Sequence, residues 1–233
     1  MKGWRTWAAA IIACAGFVPL QSAAQNLVTN GSFEGGSLAG WTPVESGPFS
    51  PGNCVFESDT AGTATGGFAG FTTPPPTDGT FVYMTDANQP GTCRIYQDIV
   101  VPADQSYVTA TFAAGYNVLL LGGTGAGCSA SIDITTPTAS FTPLANLWSR
   151  SGGTSTPFGN AAPRPVPVTP GSTIRLVLTA VSCTDGPAGI AVDNLVLVGG
   201  SNVVPTLDDW AKAALALLLV VSAALQARRR SSR

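Results

Sequence analysis

An alternation of side chains between Tyr107 and Tyr116 restricts the fold of this chain more than any other feature. Successive side chains of a β-strand point to opposite sides, so a period of two predicts a strand with one buried face. Comparable segments, rich in β-branched or aromatic residues, recur between turns rich in glycine and proline. They predict an all-β fold, an antiparallel β-sandwich of about eight or nine strands.

Two long loops are expected to interrupt these strands. Residues 62–79 include Gly66-Gly67 and Pro74-Pro75-Pro76, and residues 149–170 contain five prolines, so neither can be one continuous strand. The predicted strands are 26–34, 54–58, 80–85, 94–101, 107–116, 129–135, 173–182 and 190–198.

The last thirty residues, 204–233, differ in composition from everything before them. An apolar run of about 210–227 would be roughly 27 Å long as a helix, close to the hydrocarbon thickness of about 30 Å. A basic tail, 228–233, follows and would stay in the cytoplasm by the positive-inside rule. The segment predicts a transmembrane helix that leaves the preceding residues on the far side of the membrane. The alternative is a C-terminal core helix of a soluble domain.

The residues before this helix carry a resemblance. The motif 204–210, with its apolar helix and arginine tail, resembles the IPTL-type C-terminal sorting signal of Gram-negative bacteria, a relative of the PEP-type signals. The usual opening is Ile-Pro-Thr-Leu-Ser-Glu-Trp, so Val204, Asp208 and Asp209 depart from it mildly. The resemblance implies recognition by a membrane-embedded exosortase-like enzyme, with these residues as the sorting motif: Val204, Pro205, Thr206, Leu207 and Trp210.

The amino end predicts a secretory signal peptide over residues 1–24. Lys2 and Arg5 precede an apolar stretch, and small residues at 22–24 suit cleavage near Gln25. A lipoprotein signal around Cys14 is the alternative. These assignments leave one domain, 25–203, of a size that suits a β-sandwich.

Residues 25–203 carry eleven Asp and Glu side chains but only four arginines and no lysine, which gives a net charge of −7. The basic surface that nucleic acid requires is therefore not expected. Anionic polymers are also poor electrostatic partners for such a domain. Neutral sugars and calcium remain compatible with it.

Four cysteines lie in the same region: Cys54, Cys93, Cys128 and Cys183. An even number in an exported chain is typical of disulfides, and four cysteines allow three pairings. We predict Cys54 with Cys93 and Cys128 with Cys183. A zinc site is disfavoured because the chain has neither a CxxC pair nor histidine.

The two ends of this domain carry a second resemblance. Residues 26–34, NLVTNGSFE, with Gly40-Trp41 and the sequence IAVDNLVL at 190–197, are similar to the galactose-binding-like jelly roll, a fold of many carbohydrate-binding modules. The resemblance implies a structural calcium held by Glu34 and Asp193. The alternative is that both carboxylates accept hydrogen bonds from backbone amides at adjoining turns.

The residue types available for chemistry are few. Without histidine, Ser-His-Asp and Cys-His catalysis and HExxH metalloprotease sites are excluded. Glycoside hydrolysis requires only two carboxylates and stays open. Solvated surface groups are the simpler interpretation of these acids: Glu45, Glu57, Asp59, Asp86, Asp98 and Asp104.

Sugar binding requires exposed aromatic faces with polar neighbours. The aromatic candidates are Trp148, Tyr83, Tyr96 and Tyr116, with core packing as the alternative for each ring, and Asn117 follows Tyr116 as a polar neighbour. Trp41 is expected in the core. The sequence thus predicts an exported, C-terminally sorted, non-enzymatic protein of the bacterial surface or extracellular matrix, structural or weakly carbohydrate-binding. The extracellular polysaccharide is its expected partner, and no cofactor is required. The alternatives are a carboxylate-dependent glycosidase and a self-associating matrix protein.

Overall fold

A computed structural model describes residues 25–63, 71–87, 90–120, 124–201 and 214–222. The predicted signal peptide lies outside these residues, as do all five sorting-motif positions: Val204, Pro205, Thr206, Leu207 and Trp210. A helix occupies residues 214–222. Within the described ranges, no helix has both the length and the apolar character needed to cross a membrane.

In the described part of the chain, eleven strands form two antiparallel sheets, which confirms the predicted sandwich. The strands are β1 (Thr42–Ser46), β2 (Cys54–Thr60), β3 (Phe81–Ala87), β4 (Thr92–Val100), β5 (Tyr107–Val118), β6 (Ser129–Thr135), β7 (Pro143–Ser151), β8 (Thr156–Asn160), β9 (Arg164–Pro167), β10 (Thr173–Val181) and β11 (Ala188–Gly200). One sheet has the order β1-β4-β10-β6-β7. The other has the order β2-β3-β11-β5-β8, with β9 also paired to β5.

The core lies between the two sheets and follows the predicted alternation. Strand β5 turns Val108, Ala110, Phe112 and Tyr116 into it, all 3% exposed or less. Strand β10 contributes Ile174, Leu176 and Leu178 from the facing sheet. Burial of each Val, Ile, Leu or Phe side chain among them stabilises the fold by about 1.5–3 kcal/mol.

The first predicted strand, 26–34, is wrong. Asn26 forms an isolated bridge with Val198, and the rest of the segment consists of turns and bends. The Asn26 Oδ1 accepts hydrogen bonds from the backbone N–H groups of Val28 and Leu197. Gly31 passes so close to β11 that a Cβ atom would lie 2.0 Å from the Leu195 carbonyl oxygen. The amino-terminal segment is therefore fixed to the last strand by side-chain and close backbone contacts rather than by a ladder.

Phe33 anchors the same segment in the core. Its ring is fully buried and stacks between Trp41 and Tyr83, with centroid distances of 5.5 and 5.1 Å. The indole N–H of Trp41 donates to the Asn30 carbonyl oxygen, and Trp41 is 6% exposed, as predicted for a core residue. Phe33 and Trp41, two residues that carry the resemblance to the jelly roll, thus pack against each other.

The predicted loop 149–170 is also wrong, because it contains β8 and β9. Both strands lie along the edge of the six-stranded sheet, where proline costs no ladder hydrogen bond on the open side. Pro165 and Pro167 stand opposite Thr109 and Tyr107 of β5. Strands β1 and β7 were likewise not predicted, and both are edge strands of the other sheet. The predicted count of eight or nine strands is low for this reason.

The structure confirms both predicted disulfides. Cys54–Cys93 joins β2 of the six-stranded sheet to β4 of the five-stranded sheet. Cys128–Cys183 links the residues that precede β6 and follow β10, two neighbouring strands. Two disulfides indicate an oxidising or extracellular environment.

One cluster covers the outer face of the five-stranded sheet. Arg175, 8% exposed, donates two hydrogen bonds to Asp98, of 2.6 and 2.8 Å. Its guanidinium carbon lies 3.8 Å from the centroid of the Tyr96 ring and 5.4 Å from that of Phe141. The cluster ties β4 and β10 to the loop that carries Phe141.

Both disulfides close long loops, of 39 and 55 residues, and so restrict the unfolded chain to a similar extent. We expect the double variants Cys54→Ser/Cys93→Ser and Cys128→Ser/Cys183→Ser each to lose about 2–4 kcal/mol of unfolding free energy. Denaturant titration measures this loss, and non-reducing peptide mapping of the parent protein tests the pairing. Free thiols or exchanged partners in the parent protein would contradict the structure.

The pair Arg175–Asp98 predicts a pH effect. The hydrogen bond from Arg175 holds the pKa of the Asp98 carboxyl below its usual value. The resulting stabilisation is complete above the unfolded-state pKa of about 3.9 and is lost as pH falls through the lower folded-state pKa. Since Asp98 is 42% exposed, the effect is at most about 1 kcal/mol. Melting curves of Asp98→Asn should lie below the parent at pH 7 and converge with it in acid, whereas the exposed control Asp104→Asn should follow the parent throughout.

Candidate functional site

Trp148 lies at the open side of the sandwich, where β7 faces β8 and β9. A bulge in β7 places both Leu147 and Trp148 opposite Ile132, because the register shifts between Ile132 and Asp133. Leu147 is buried in the core, and Trp148 packs against the core while remaining partly exposed. The bulge therefore turns an aromatic ring towards the gap between the edges of the two sheets.

Trp148 lines a groove of about 610 Å³, which we call the Trp148 groove. Asn146, Arg150 and the indole come from β7, while Asn160 and Arg164 come from the other sheet edge. The Arg164 Nη1 donates to the Asn146 carbonyl oxygen at 2.8 Å and joins the two walls. The Arg150 Nη1 donates to the Ser149 carbonyl oxygen at 2.7 Å, and its guanidinium carbon lies 5.2 Å from the Trp148 ring centroid. The Asn146 Nδ2 already donates to the Asp133 carboxylate and to the Trp148 carbonyl oxygen. The groove therefore combines an aromatic surface with guanidinium donors, the Asn160 amide and the amide oxygen of Asn146.

A second groove, of about 790 Å³, adjoins the first at Asn146 and Arg164. Its walls are more apolar and include Leu144, which is 60% exposed, and Val166. Of the described residues that line the two grooves, none is Asp or Glu.

Many carboxylates instead hold the fold together. Asp98 pairs with Arg175, and Asp133 accepts hydrogen bonds from Asn146 and Ser131. Backbone N–H groups donate to four others: Glu34, Glu45, Asp185 and Asp193. The interpretation of Asp86 as a solvated group is wrong, because this residue of β3 is fully buried. Its backbone, paired with β2 and β11, places the side chain inside the folded domain.

The structure separates Tyr116 and Asn117 from Trp148. Tyr116 is fully buried, its hydroxyl donates to the Gly152 carbonyl oxygen at 2.9 Å, and burial raises its pKa to about 12. Its burial matches the packing alternative. Asn117, the next residue of β5, is half-buried and directed to the opposite face of the sheet. Neither residue lines the Trp148 groove.

Glu34 and Asp193, the predicted calcium ligands, reach the same loop. Glu34 accepts hydrogen bonds of 2.8–2.9 Å from the N–H groups of Thr80 and Phe81. The Oδ2 of Asp193 accepts from the N–H groups of Thr77 and Asp78 at 2.6 and 3.0 Å, and from the Thr77 hydroxyl at 2.8 Å. Its Oδ1 accepts from the Asn194 N–H at 2.6 Å.

These contacts match the backbone-amide alternative for Glu34 and Asp193. All four carboxylate oxygens face N–H donors, and the described ranges contain no group of three or more His, Cys, Asp or Glu placed to hold a metal. Gly79 is needed between the two anchored pairs of amides. Its φ is +64°, and a Cβ there would lie 2.1 Å from the Glu34 carboxyl carbon. The calcium prediction stays a prediction from the sequence.

Sequence reasoning singled out Trp148 but missed its neighbours in the groove. Arg150 and Arg164 are two of only four arginines in residues 25–203, and they lie fourteen positions apart around a proline-rich segment. That clustering is the signal that could have found them. Asn146 and Asn160 carry no such signal, because the β7 bulge and the position of β8 place them there.

No family model and no curated protein matches this sequence. Among solved structures, the CBM61 module of TmCBM61, in complex with β-1,4-galactotriose, is 11% identical over 76% of this chain and 100% of its own, with a TM-score of 0.41. The stig cyclase FisC of Fischerella sp. TAU is 15% identical over 77% of this chain and 99% of its own, with a TM-score of 0.48. The enzymatically active domain of the bacteriophage CBA120 tailspike protein 4 is 19% identical over 75% of this chain, with a TM-score of 0.43. The chain spans only 21% of that domain, and at these values the likenesses assign neither ligand nor activity to it.

The hydrogen bonds to Glu34 and Asp193 predict a stability effect independent of calcium. In Asp193→Asn, an amide N–H₂ group or a weaker acceptor oxygen would face the N–H donors that bind the carboxylate in the parent protein. We therefore expect a loss of about 2–4 kcal/mol in unfolding free energy. Glu34→Gln should lose less, because these bonds lie nearer to solvent. Thermal melts with calcium and with a chelator measure both effects.

If backbone amides are the sole partners of these carboxylates, the parent protein melts at the same temperature in calcium and in chelator. A calcium-dependent rise that disappears in both variants would instead establish Glu34 and Asp193 as a metal site.

Proposed function

We propose that this protein is a non-catalytic β-sandwich that binds carbohydrate at the Trp148 groove. The observation that carries the proposal is the position of Trp148, half-buried at the sandwich edge and accompanied by Asn146, Asn160 and two arginines. Sugar rings pack their C–H faces on aromatic surfaces, while amides and guanidinium groups bond their hydroxyls. A groove bounded by two strand edges suits an elongated ligand.

Two predicted targeting segments, the signal peptide and the sorting motif, support a cellular location for the proposed function. The predicted signal peptide and sorting motif support export to the cell envelope, surface or extracellular matrix of a Gram-negative bacterium, with an exosortase-like enzyme acting on the motif. The two disulfides support the same environment. An extracellular polysaccharide is the ligand class that such a location would offer.

The carboxylates support a binding role over a hydrolytic one. Glycoside hydrolysis requires two carboxyl groups on either side of the bond to be cleaved. The part of the Trp148 groove that the structure describes supplies none, and six carboxylates elsewhere accept hydrogen bonds within the fold.

Affinity electrophoresis and calorimetry against a panel of soluble polysaccharides test the proposal. Trp148→Ala should weaken binding about tenfold or more, equivalent to about 1.4 kcal/mol, and Trp148→Phe should recover part of it because a smaller ring remains. The matched control is Phe49→Ala, which removes a 51%-exposed ring that follows β1, at the opposite edge of the five-stranded sheet.

Equal retention of the parent and Trp148→Ala would contradict the site. Turnover of any glycan that two particular carboxylate substitutions abolish would contradict the non-catalytic role. Absence of glycan binding together with self-assembly of the purified domain would favour the purely structural alternative.

A further inference from the structure

The arginines of the domain are divided between two surroundings. Arg175 forms an ion pair with Asp98, and Arg94 lies over the Phe141 ring of the same cluster, 5.1 Å from its centroid. Arg150 and Arg164 lie in the Trp148 groove, where the described lining residues include no carboxylate. Among the described residues the one ion pair is that of Arg175 and Asp98, so neither groove arginine is neutralised by a neighbour.

Both groove guanidinium groups are held by a backbone carbonyl of β7 and keep most of their donors. A guanidinium carries five N–H donors, and the structure gives Arg164 one bond, to Asn146, and Arg150 one bond, to Ser149. The two anchoring carbonyl groups, those of Asn146 and Ser149, lie three residues apart on β7. The Arg150 guanidinium lies over the Trp148 ring and that of Arg164 beside Asn146, so two anchored cations line one groove.

The ring contact of Arg150 favours a particular ligand chemistry. The guanidinium lies over the Trp148 ring, so a neutral sugar must displace it to reach that face. A sugar that carries a carboxylate can pair with the guanidinium and keep it near the ring. A planar carboxylate also matches the fork of N–H donors that arginine presents.

We infer that the Trp148 groove selects an acidic oligosaccharide, a uronic acid chain whose carboxylates pair with Arg150 and Arg164. The inference rests on the proposed function and specifies its ligand class. It also differs from the expectation, based on net charge, that anionic polymers are poor partners for this domain. A domain of net charge −7 repels a polyanion at long range, but the groove gathers half of its arginines in one place. At physiological salt, charges beyond about 8 Å are largely screened, so the local pair decides the contact.

The test compares one polymer in two charge states. Polygalacturonate and its fully methyl-esterified form have the same backbone, and alginate with its propylene-glycol ester provides a second pair. We expect the acidic member of at least one pair to bind roughly tenfold more tightly than its ester, with affinity falling as salt rises. Arg150→Gln and Arg164→Gln should each remove most of this difference, and Arg94→Gln, with the same change in charge outside the groove, should preserve it. Melting temperatures of all variants exclude unfolding as the cause.

Each outcome separates the inference from the proposed function. Equal binding of acid and ester, lost in Trp148→Ala, overturns the acidic ligand and leaves a sugar site for neutral glycans. Acid-selective binding that survives both groove substitutions overturns the role of the arginines. Failure of the whole neutral and acidic panel overturns both proposals.

Discussion

The hydrogen bonds from the loop 77–81 to Glu34 and Asp193 are the contacts on which the arrangement of the domain depends. They join three distant parts of the chain: the amino-terminal segment, the turn that leads into β3, and the central strand β11. A hydrogen bond to a charged acceptor contributes about 1.5–3 kcal/mol, more than a neutral one. Without these acceptors, the loop amides at this position would need other partners. The bulge in β11 and the position of Phe33 against Tyr83 are maintained around this junction.

The sequence predicted those elements whose structure a local residue pattern determines, and it missed elements that depend on distant contacts. The alternation in β5 and β10 predicted their buried faces, because a strand has only one way to bury alternate apolar residues. Residues 26–34 were mistaken for a strand, since their order comes from side-chain caps and stacking that no periodicity records. Prolines hid β8 and β9, which are strands only because an open edge requires no donor on its outer side.

The candidate site shows the same division. The resemblance predicted that Glu34 and Asp193 lie close together, and both carboxylates do contact the loop 77–81. No sequence motif marked the backbone amides of that loop as their partners. Trp148 could be selected as an aromatic residue, but its exposure depends on a one-residue bulge opposite Ile132. Tyr116 had equal promise by composition and lies in the core, because its place in the alternation points it inward. The alternation in the sequence therefore assigns Tyr116 to the core, whereas the exposure of Trp148 becomes known only with the pairing of β7 and β6.

The Trp148 groove lies at the edge of the sandwich, where the packing between the two sheets is least complete. Two edge strands, β7 and β8, leave a gap that the core does not fill, and edge strands expose unpaired backbone groups. Polar side chains and prolines occupy both edges here, which disfavours pairing with another sheet while leaving room for a ligand.

The positions of the disulfides determine how this domain would respond to mechanical load. Asn26 bridges Val198 and Gly200 stands opposite Tyr107, so the domain is entered and left at one end of the sandwich. Cys54 lies opposite Ala87, and Ala87 opposite Ala188, at the other end, and Cys183 lies five residues before Ala188. Tension through the chain ends would separate the bridge at Asn26 first, while the covalently closed segments 54–93 and 128–183 could not lengthen. Reduction of the disulfides would therefore increase the extensibility of the domain as well as lowering its stability.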